Sequence, residues 1–322
     1  MQQALRTLTK ADIGRFAFDV ELARHCSWKI GGPADLLVEP GSSAQVATIM
    51  RFAREHAIPL LIIGQGTNLL FADDGVRGIV MKIGSEMGTM KIDGSTIVAG
   101  SGLWVPRLAR AAMKAGLTGL EHCSGIPGTL GGLVMMNGGS RRKGIGDNLV
   151  SVTIVDRNGC VHRLSRDECA FAYRHSALQG SGCAVVEAEL LCELRERSAI
   201  RRDMLADLCE RRGKFPLKQP NCGSVFLSSA EMHASVGPPG KIIEAAGLKG
   251  LRIGQAEVSH QHANFIVNLG GASAADVLAL IREIRARVRA RIAFELDCEV
   301  RYVSSDGRVF PAHIQAEHSA QV

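Results

Sequence analysis

The stretch N-C-G-S-V-F-L-S-S, residues 221–229, places Ser224 between a glycine and a run of apolar residues. A serine in this setting is a candidate nucleophile, but a nucleophilic serine needs a base, usually a histidine, within hydrogen-bond reach. The stretch also lacks the G-x-S-x-G turn of the α/β hydrolases, because Phe226 stands where the second glycine belongs. If Ser224 takes part in chemistry, it needs a role other than that of a nucleophile.

A glycine-rich turn could bind an anion through its backbone. The stretch I-I-G-Q-G-T-N-L-L places residues 64–68 directly after a short apolar run that predicts a buried strand. Glycines permit close backbone approach, and successive N–H groups can form a concave site for phosphate. The stretch is neither a Walker loop nor a G-x-G-x-x-G dinucleotide motif. Taken alone, a strand that ends in a glycine turn is more often only a turn.

A second glycine-rich stretch, G-I-P-G-T-L-G-G-L-V-M-M-N-G-G, covers residues 125–139. It is too rich in glycine for an ordinary helix interior, and its apolar residues argue against a surface linker. Two backbone sites of this kind in one chain indicate one large ligand that contains a diphosphate and contacts both sites. Flavin adenine dinucleotide (FAD) is one ligand of this kind.

The composition excludes several classes of protein. The 322 residues are 46% hydrophobic and 22% charged, which is typical of a globular protein of two or three domains. The net charge of +6 and the aromatic share of 4% favour a small anionic ligand over nucleic acid. No segment predicts a membrane span or a signal peptide. The nine cysteines show no C-x-x-C pair, so we expect reduced thiols, no metal and a cytoplasmic location.

The elements that must position these residues follow from hydrophobic periodicity, although residues 1–25 carry no clear motif. Segment 34–63 predicts a strand, a helix and a second strand. Asp93-Gly94 and Asn158-Gly159 each predict a hairpin turn. Further predicted elements are a strand at 77–83, a helix at 105–115, a strand near 182–194, a charged helix at 197–214, a helix at 272–291 and a final strand at 297–303. We expect the arginines between 282 and 291 to lie on a solvated helix face, and the residues after Ser304 to be loosely ordered.

Several motifs, in order along the chain, resemble the UDP-N-acetylenolpyruvoylglucosamine reductases, in the shorter of that family's two subtypes. They are S-W-K-I-G-G-P-A-D-L-L-V-E-P, the two glycine-rich stretches, Y-R-H-S, C-G-S-V-F, G-L-K-G-L-R-I-G-Q-A-E-V-S-H-Q-H-A-N-F-I-V-N and D-C-E-V-R-Y-V. The resemblance extends from about Ser27 to Val303. A set of motifs in a fixed order is far more specific than any one of them.

The resemblance implies an α+β fold. Two α+β subdomains of the p-cresol methylhydroxylase and vanillyl-alcohol oxidase type would bind FAD non-covalently, and a third α+β domain would bind the substrate. The corresponding boundaries are 1–70 and 71–197 for the FAD-binding subdomains, 198–303 for the substrate domain and 304–322 for a polar tail. We expect a monomer that binds neither nucleic acid nor membrane.

The resemblance also implies a reaction in two halves. NADPH reduces the flavin, and a hydride then passes to the terminal carbon of UDP-N-acetylglucosamine enolpyruvate, which gives UDP-N-acetylmuramate for peptidoglycan. Arg174 matches the family's cation beside the substrate carboxylate, which a guanidinium can bind with two hydrogen bonds. Ser224 matches the proton donor to the α carbon, and Glu299 matches a group that assists the enol intermediate. Ser224 would therefore be an acid.

The remaining site residues are assigned by the same resemblance. The FAD-binding positions would be Gly64, Gln65, Gly66, Thr67, Asn68, Leu69, Gly125, Ile126, Pro127, Gly128, Thr129, Gly131, Gly132 and Asn137. The substrate-binding positions would be Tyr173, Lys214, Ser228 and His262, and Asn264 would line the same pocket. For His262 a structural role is at least as common, and a turn serine and a paired strand glutamate are the alternatives for Ser224 and Glu299.

The sequence departs from the family pattern immediately after the catalytic serine. The family continues G-S-x-F-K-N-P, whereas here Leu227, Ser228 and Ser229 follow Phe226. The missing asparagine is a substrate contact in the family, and a serine has a shorter reach and lacks an amide's paired donor and acceptor. Three outcomes are open: an enzyme that tolerates the change, an FAD oxidoreductase that acts on another enolpyruvyl, nucleotide-sugar or alcohol substrate, and an inactive flavin-binding or nucleotide-sugar-binding relative.

Overall fold

A computed structural model describes residues 1–318, apart from the side chains of Ala230 and Glu231. The helices in this range are α1 (Gln2–Leu8), α2 (Ser43–Glu55), α3 (Val105–Ala115), α4 (Leu130–Met135), α5 (Arg197–Lys214), α6 (Ala230–Ser235), α7 (Pro239–Ala245), α8 (Ala274–Ile292) and α9 (Ala312–His318).

The strands in this range are short, and many connect through tight turns. They are β1 (Arg15–Glu21), β2 (Pro33–Glu39), β3 (Leu60–Ile63), β4 (Leu69–Phe71), β5 (Val76–Lys82), β6 (Met90–Asp93), β7 (Thr96–Gly100), β8 (Leu117–Thr118), β9 (Leu149–Val155), β10 (Val161–Ser165), β11 (Ala184–Leu191), β12 (Glu193–Leu194), β13 (Arg252–Ile253), β14 (Ala256–Val258), β15 (Ile266–Asn268), β16 (Arg301–Val303) and β17 (Val309–Pro311).

The chain packs as two compact units, each made of several segments. Unit 1 comprises Met1–Phe18, Leu36–Gln65 and Gly78–Arg211, and unit 2 comprises Asp19–Asp35, Gly66–Arg77 and Arg212–Val322. Each unit is made of three separate segments, so neither unit corresponds to one continuous stretch of the sequence. The predicted boundaries at residues 70, 197 and 303 stay predictions.

Unit 1 is built on an antiparallel five-stranded sheet in the order β10-β9-β11-β7-β6. Its core is formed by apolar side chains of these strands together with α3 and α4. A four-stranded sheet has the order β1-β2-β5-β3, in which β3 and β5 run parallel. Helix α2 packs its predicted apolar face, including Val46, Ile49 and Met50, into a second core cluster.

Unit 2 contains two three-stranded sheets, β13-β14-β15 and β17-β16-β4. The long helix α8 buries the predicted stripe of Val277, Leu280, Ile281, Ile284 and Val288. The early segment 19–35 is tied into this unit by Trp28, which is fully buried. Its indole Nε1–H donates to Ile266 O at 2.8 Å, and its own carbonyl accepts from Asn268 Nδ2 at 2.9 Å.

Most predicted elements form where the periodicity placed them, and α3 begins at Val105 with Pro106 in its first turn, as predicted. The first hairpin differs by one residue. Asp93 pairs with Thr96, so the turn residues are Gly94 and Ser95. Gly94 has φ +55°, a conformation that glycine adopts without strain.

Three expectations are wrong. The second glycine-rich stretch does form a helix turn, α4, despite Gly131 and Gly132. Residues 309–318 form β17 and α9 rather than a loosely ordered tail, because Ala312 and Ala316 are fully buried. The expectation for the arginines of α8 fails at Arg285 alone, which is 9% exposed because it reaches carboxylates beyond the end of the helix, whereas the other four are exposed as expected: Arg282, Arg287, Arg289 and Arg291. Residues 1–25, which showed no motif, supply α1 and β1.

Candidate active site

The two glycine-rich stretches meet inside unit 1. Gly64 follows β3, and a Cβ atom at this position would lie 2.3 Å from Thr129 Oγ1. A side chain there would force Thr129 to shift, so glycine at residue 64 is favoured by the second stretch rather than by its own dihedral angles. The predicted FAD-binding positions Gly64 and Gln65 therefore lie in the same unit as those at 125–137, whereas Gly66, Thr67, Asn68 and Leu69 belong to unit 2.

Hydrogen bonds at Thr129 and Gly131 fix the conformation of the second glycine-rich stretch. Its hydroxyl caps α4 by accepting from Gly132 N at 3.4 Å. Gly131 N–H donates to Ser101 O at 2.8 Å, and a Cβ at Gly131 would lie 2.9 Å from Ser101 Cβ. Gly131 approaches Ser101 closely, and the glycines at 131 and 132 leave their peptide groups without side chains, which suits a flat or phosphate-bearing ligand.

Two buried hydroxyls beside this surface were not predicted from the sequence. Ser101 is 1% exposed and Ser124 is 5% exposed, and within residues 1–318 neither Oγ has a hydrogen-bond partner. Buried polar groups are normally paired, so an unpaired pair next to the glycine surface fits a polar ligand such as FAD. An isolated serine has no sequence signal, which is why neither was found.

One predicted FAD-binding side chain is already engaged. The carboxamide of Asn137 donates from Nδ2 to Ala172 O at 2.9 Å and accepts at Oδ1 from Gly146 N at 3.0 Å. Asn137 thus holds the loop that carries Tyr173 and Arg174. In unit 2, Asn68 donates from Nδ2 to Glu299 O at 3.1 Å, and Leu69 lies in β4, which pairs with β16.

Arg174 lies in a tight loop of unit 1 with φ +54°, which is uncommon for a residue other than glycine. Gln179 Nε2 donates to Arg174 O at 3.0 Å and to Met135 O at 3.1 Å, so the loop is anchored to the last residue of α4. The guanidinium carbon lies 5.5 Å from the ring centre of Tyr173, whose side chain is exposed. These contacts present Arg174 and Tyr173 side by side.

A second guanidinium, that of Arg211, lies near Arg174 and was not predicted. Burial lowers the pKa of Arg211, the carboxylate of Asp207 opposes this shift, and the charge of Arg174 adds to it. A Cβ at Gly125 would lie 2.6 Å from Arg211 Cδ, so the arginine packs on the second glycine-rich stretch. Two cations that repel each other beside a peptide surface favour binding of an anion.

In unit 2, backbone pairing brings the Ser224 segment beside Glu299. Glu299 N–H donates to Val225 O at 2.8 Å, and Leu227 N–H donates to Asp297 O at 2.8 Å. Burial lowers the pKa of the Arg301 guanidinium, and the carboxylate of Glu299 partly opposes this shift. Glu299 therefore lies beside the Ser224 segment and close enough to Arg301 to influence its charge, and both roles given for Glu299 above stay predictions.

Lys214, His262 and two phenylalanines form a second group in unit 2. The imidazole of His262 lies edge-on to Phe215 and Phe265, with ring centres 5.4 and 5.1 Å away. Burial, together with the charges of Lys214 and Lys249, lowers the pKa of His262. Asn264 N–H donates to His262 Nδ1 at 3.2 Å, so the neutral ring carries its proton on Nε2. His262 is thus neutral, and its Nε2–H is available as a hydrogen-bond donor beside two aromatic rings.

Histidine, cysteine and acidic side chains do not cluster as metal ligands in the part of the chain that the structure describes. Residues 1–318 contain no group of three or more histidine, cysteine or acidic residues that could hold a metal ion. Burial raises the pKa of Cys26, Cys192 and Cys222, which makes these thiols poor nucleophiles. No helix within the described residues has the length and apolar character needed to cross a membrane.

Comparisons with known proteins match nearly the whole chain. A family model described as "FAD binding domain" matches residues 34–165, and one described as "UDP-N-acetylenolpyruvoylglucosamine reductase, C-terminal domain" matches residues 215–303. UDP-N-acetylenolpyruvoylglucosamine reductase 1 of Corynebacterium glutamicum is 45% identical over 303 residues, which cover 94% of this chain and 90% of that protein. The Heliobacterium modesticaldum reductase is 44% identical over 93% of this chain and 94% of its own length.

The chain belongs to the UDP-N-acetylenolpyruvoylglucosamine reductase family.

A solved member of the reductase family has the same fold. The crystal structure of the Thermus caldophilus reductase superposes with a TM-score of 0.75 at 34% identity and covers 88% of this chain and 97% of that one. The predicted α+β fold, with an FAD-binding domain and a reductase-type C-terminal domain, is confirmed by the two family models and by this structure.

The departure from the reductase pattern has a local structural counterpart. Ser228 Oγ and His233 Nε2 are 2.7 Å apart and form a hydrogen bond. His233 lies in α6, which Ser229 caps by accepting from Met232 N at 3.0 Å. The residues that replace K-N-P therefore begin a short helix, and Ser228 is paired with a side chain of that helix.

Proposed function

We propose that this chain is an FAD-dependent, NADPH-consuming oxidoreductase that reduces UDP-N-acetylglucosamine enolpyruvate to UDP-N-acetylmuramate, a precursor of peptidoglycan. The observation that carries the proposal is the match to named reductases along nearly the whole chain. The alternatives, an FAD oxidoreductase with another substrate and an inactive relative, gain no support from these relatives.

The glycine surface and the two buried serines fit FAD. Peptide groups at residues 64–65 and 125–132 would lie against the cofactor, and Ser101 Oγ and Ser124 Oγ would donate to its polar atoms. Bound FAD supplies the hydride that NADPH provides and that the enolpyruvyl group accepts at its terminal carbon. The protein's own residues must then stabilise the negative charge that builds up on the α carbon and carboxylate, and must deliver one proton.

We assign three residues to that task. Arg174 would bind the substrate carboxylate through its guanidinium, which stays charged and offers two parallel N–H donors. Ser224 would give its hydroxyl proton to the α carbon, which is basic enough as an enolate to accept it. Glu299 would accept a hydrogen bond from the enol form. Arg174 belongs to unit 1, whereas Ser224 and Glu299 belong to unit 2.

Residues around these three would bind the nucleotide sugar. Lys214 supplies a cation for a phosphate or the carboxylate, and Tyr173 offers an exposed phenol beside Arg174. His262 would donate from Nε2, and Ser228 would offer one hydrogen bond in place of the family's asparagine. We further propose that the protein acts as a monomer in the cytoplasm, which sedimentation and cell fractionation would check.

The Ser224→Ala variant tests the acid role. Flavin reduction by NADPH should proceed at the wild-type rate, because that half-reaction needs no proton from Ser224. Flavin reoxidation by the enolpyruvyl substrate should slow by about 10²–10⁴-fold, the usual contribution of a general acid. Anaerobic stopped-flow absorbance of the flavin measures both halves separately.

Ser229→Ala is the matched control for that experiment. Ser229 lies on the same segment and caps α6, so its loss should lower stability by about 1 kcal/mol and leave reoxidation near the wild-type rate. Wild-type reoxidation in the Ser224→Ala variant would remove Ser224 from the mechanism. A protein that binds FAD but is not reoxidised by the enolpyruvyl substrate would refute the proposed substrate.

A further inference from the structure

We propose that Asn264 is a positioning residue that fixes the backbone beside Ser224 and so sets where the Ser224 hydroxyl lies. The inference rests on the acid role proposed above for Ser224. It changes the expectation for Asn264 itself, which was predicted to line the substrate pocket. Asn264 is 5% exposed, so it would act through its neighbours rather than by touching the substrate.

The carboxamide of Asn264 forms hydrogen bonds with both backbone polar groups of Phe226. Phe226 N–H donates to Asn264 Oδ1 at 2.9 Å, and Asn264 Nδ2–H donates to Phe226 O at 3.0 Å. The backbone adds a third bond, since Val225 N–H donates to Asn264 O at 2.8 Å. Asn264 therefore forms the hydrogen bonds with residues 225 and 226 that a neighbouring β-strand would otherwise form.

The same segment is also held by the 297–299 stretch. Val225 O accepts from Glu299 N, and Leu227 N–H donates to Asp297 O, each at 2.8 Å. Residues 225–227 are thus fixed by two partners, one of them Asn264. Loss of the carboxamide would leave the buried peptide groups of Phe226 without these partners, which destabilises the local geometry.

On its N-terminal side Ser224 follows Gly223, whose N–H donates to Asn221 Oδ1 at 2.9 Å. Gly223 has φ +79°, and a Cβ placed on it would meet no atom within 4 Å. Ser224 is therefore held from both sides, and on its C-terminal side the restraint comes from residues 225 and 226, which Asn264 binds.

Asn264 is in turn fixed by His262. Its N–H donates to His262 Nδ1 at 3.2 Å, and His262 packs against Phe215 and Phe265. Both ends of the side-chain amide and both backbone polar groups of Asn264 are therefore engaged. A residue this fully bonded is suited to hold geometry, because a small displacement of a reacting group can cost about a hundredfold in rate.

The experiment compares Asn264→Ala and Asn264→Asp with the matched control Asn268→Ala. Asn268 is also 5% exposed in unit 2, and its carboxamide also makes buried hydrogen bonds, but to Trp28 O and to the backbone N–H groups of Gly270 and Ala272. It does not bond the Ser224 segment. Asn264→Asp keeps the acceptor for Phe226 N–H but replaces the donor to Phe226 O with a second carboxylate oxygen, so it tests the donor separately from the acceptor.

The FAD-loaded proteins are compared by three measurements. Amide hydrogen exchange at Val225 and Phe226 should become faster in both Asn264 variants and stay unchanged in Asn268→Ala. Flavin reduction by NADPH should keep its wild-type rate in all three. Reoxidation by the enolpyruvyl substrate should slow by about 10–100-fold in the Asn264 variants, as a fall in the maximal rate more than a rise in the half-saturating substrate concentration.

The decisive step is a double-mutant cycle with Ser224→Ala. If Asn264 acts through Ser224, the Asn264→Ala penalty on reoxidation should largely vanish once Ser224 is alanine. A full, additive penalty, or an equal loss in Asn268→Ala, would overturn the inference while leaving the acid role of Ser224 intact. Wild-type reoxidation in the Ser224→Ala single variant would instead refute the acid role, and the inference would be refuted with it.

Discussion

At the scale of single residues, the glycines of the predicted FAD site differ in why they are glycine. Gly66 has φ +62°, so its backbone conformation alone favours glycine. Gly64 has no such conformation, and it is glycine because Thr129 fills the space that a side chain would need. The first reason is local, whereas the second depends on a residue far along the chain.

Gly64→Ala should weaken FAD binding and the fold together. The added methyl would lie 2.3 Å from Thr129 Oγ1, and overpacking of this kind costs about 1–3 kcal/mol. We expect a lower ratio of bound flavin to protein by visible absorbance and a lower midpoint of thermal unfolding.

Gly84→Ala is its matched control in the same unit. The nearest atom to a Cβ there is Glu39 Oε1 at 3.9 Å, and its φ is −113°, which any residue adopts. Full flavin content in the Gly64→Ala protein would show that the two glycine-rich stretches need not approach each other so closely.

At the scale of elements, helix α8 shows that an arginine-rich face is not uniformly solvated. Arg287 is exposed and pairs with Glu283, one turn away at 2.6 Å. Arg285 is buried and bonds Glu295 at 3.2 Å and Glu317 of α9 at 2.7 Å. It therefore ties α8 to later parts of the chain and helps to order the C-terminal helix.

Arg285→Met should destabilise the protein, whereas Arg287→Met should not. Removing Arg285 loses several charge-assisted hydrogen bonds at a buried position, and we expect a loss of about 1–3 kcal/mol. The exposed Arg287–Glu283 pair should contribute less than about 0.5 kcal/mol. Chemical denaturation of both variants measures the difference, and equal midpoints would restore the interpretation of Arg285 as a surface residue.

At the scale of the whole molecule, a buried histidine makes stability depend on pH. His122 is 5% exposed, and burial, reinforced by the charge of Lys143, lowers its pKa from 6.5 to about 4. The unfolded chain therefore binds a proton more readily than the folded one between these two values. Stability is lost as the pH falls from about 6.5 to about 4, and this contribution is constant below that range.

His122→Gln should reduce that pH dependence. The wild type should lose up to about 1.4 kcal/mol per pH unit through this residue, and the variant should lose less across the same range. Thermal unfolding from neutral pH to pH 4 measures both, with His260→Gln, at an exposed position, as the control. Parallel curves for wild type and His122→Gln would contradict a neutral buried His122.

The sequence by itself determined the main elements, the two glycine-rich stretches and the family. Periodicity and turn residues act over a few positions, so α2, α3 and α8 could be predicted from their own residues. Tertiary structure alone decided that Gly64 meets Thr129, that Ser101 and Ser124 are buried hydroxyls, and that Asn264 grips Phe226. The contacts of Gly64 and Asn264 join residues dozens of positions apart, and no local pattern encodes which distant atom will fill a gap or which hydroxyl will be buried.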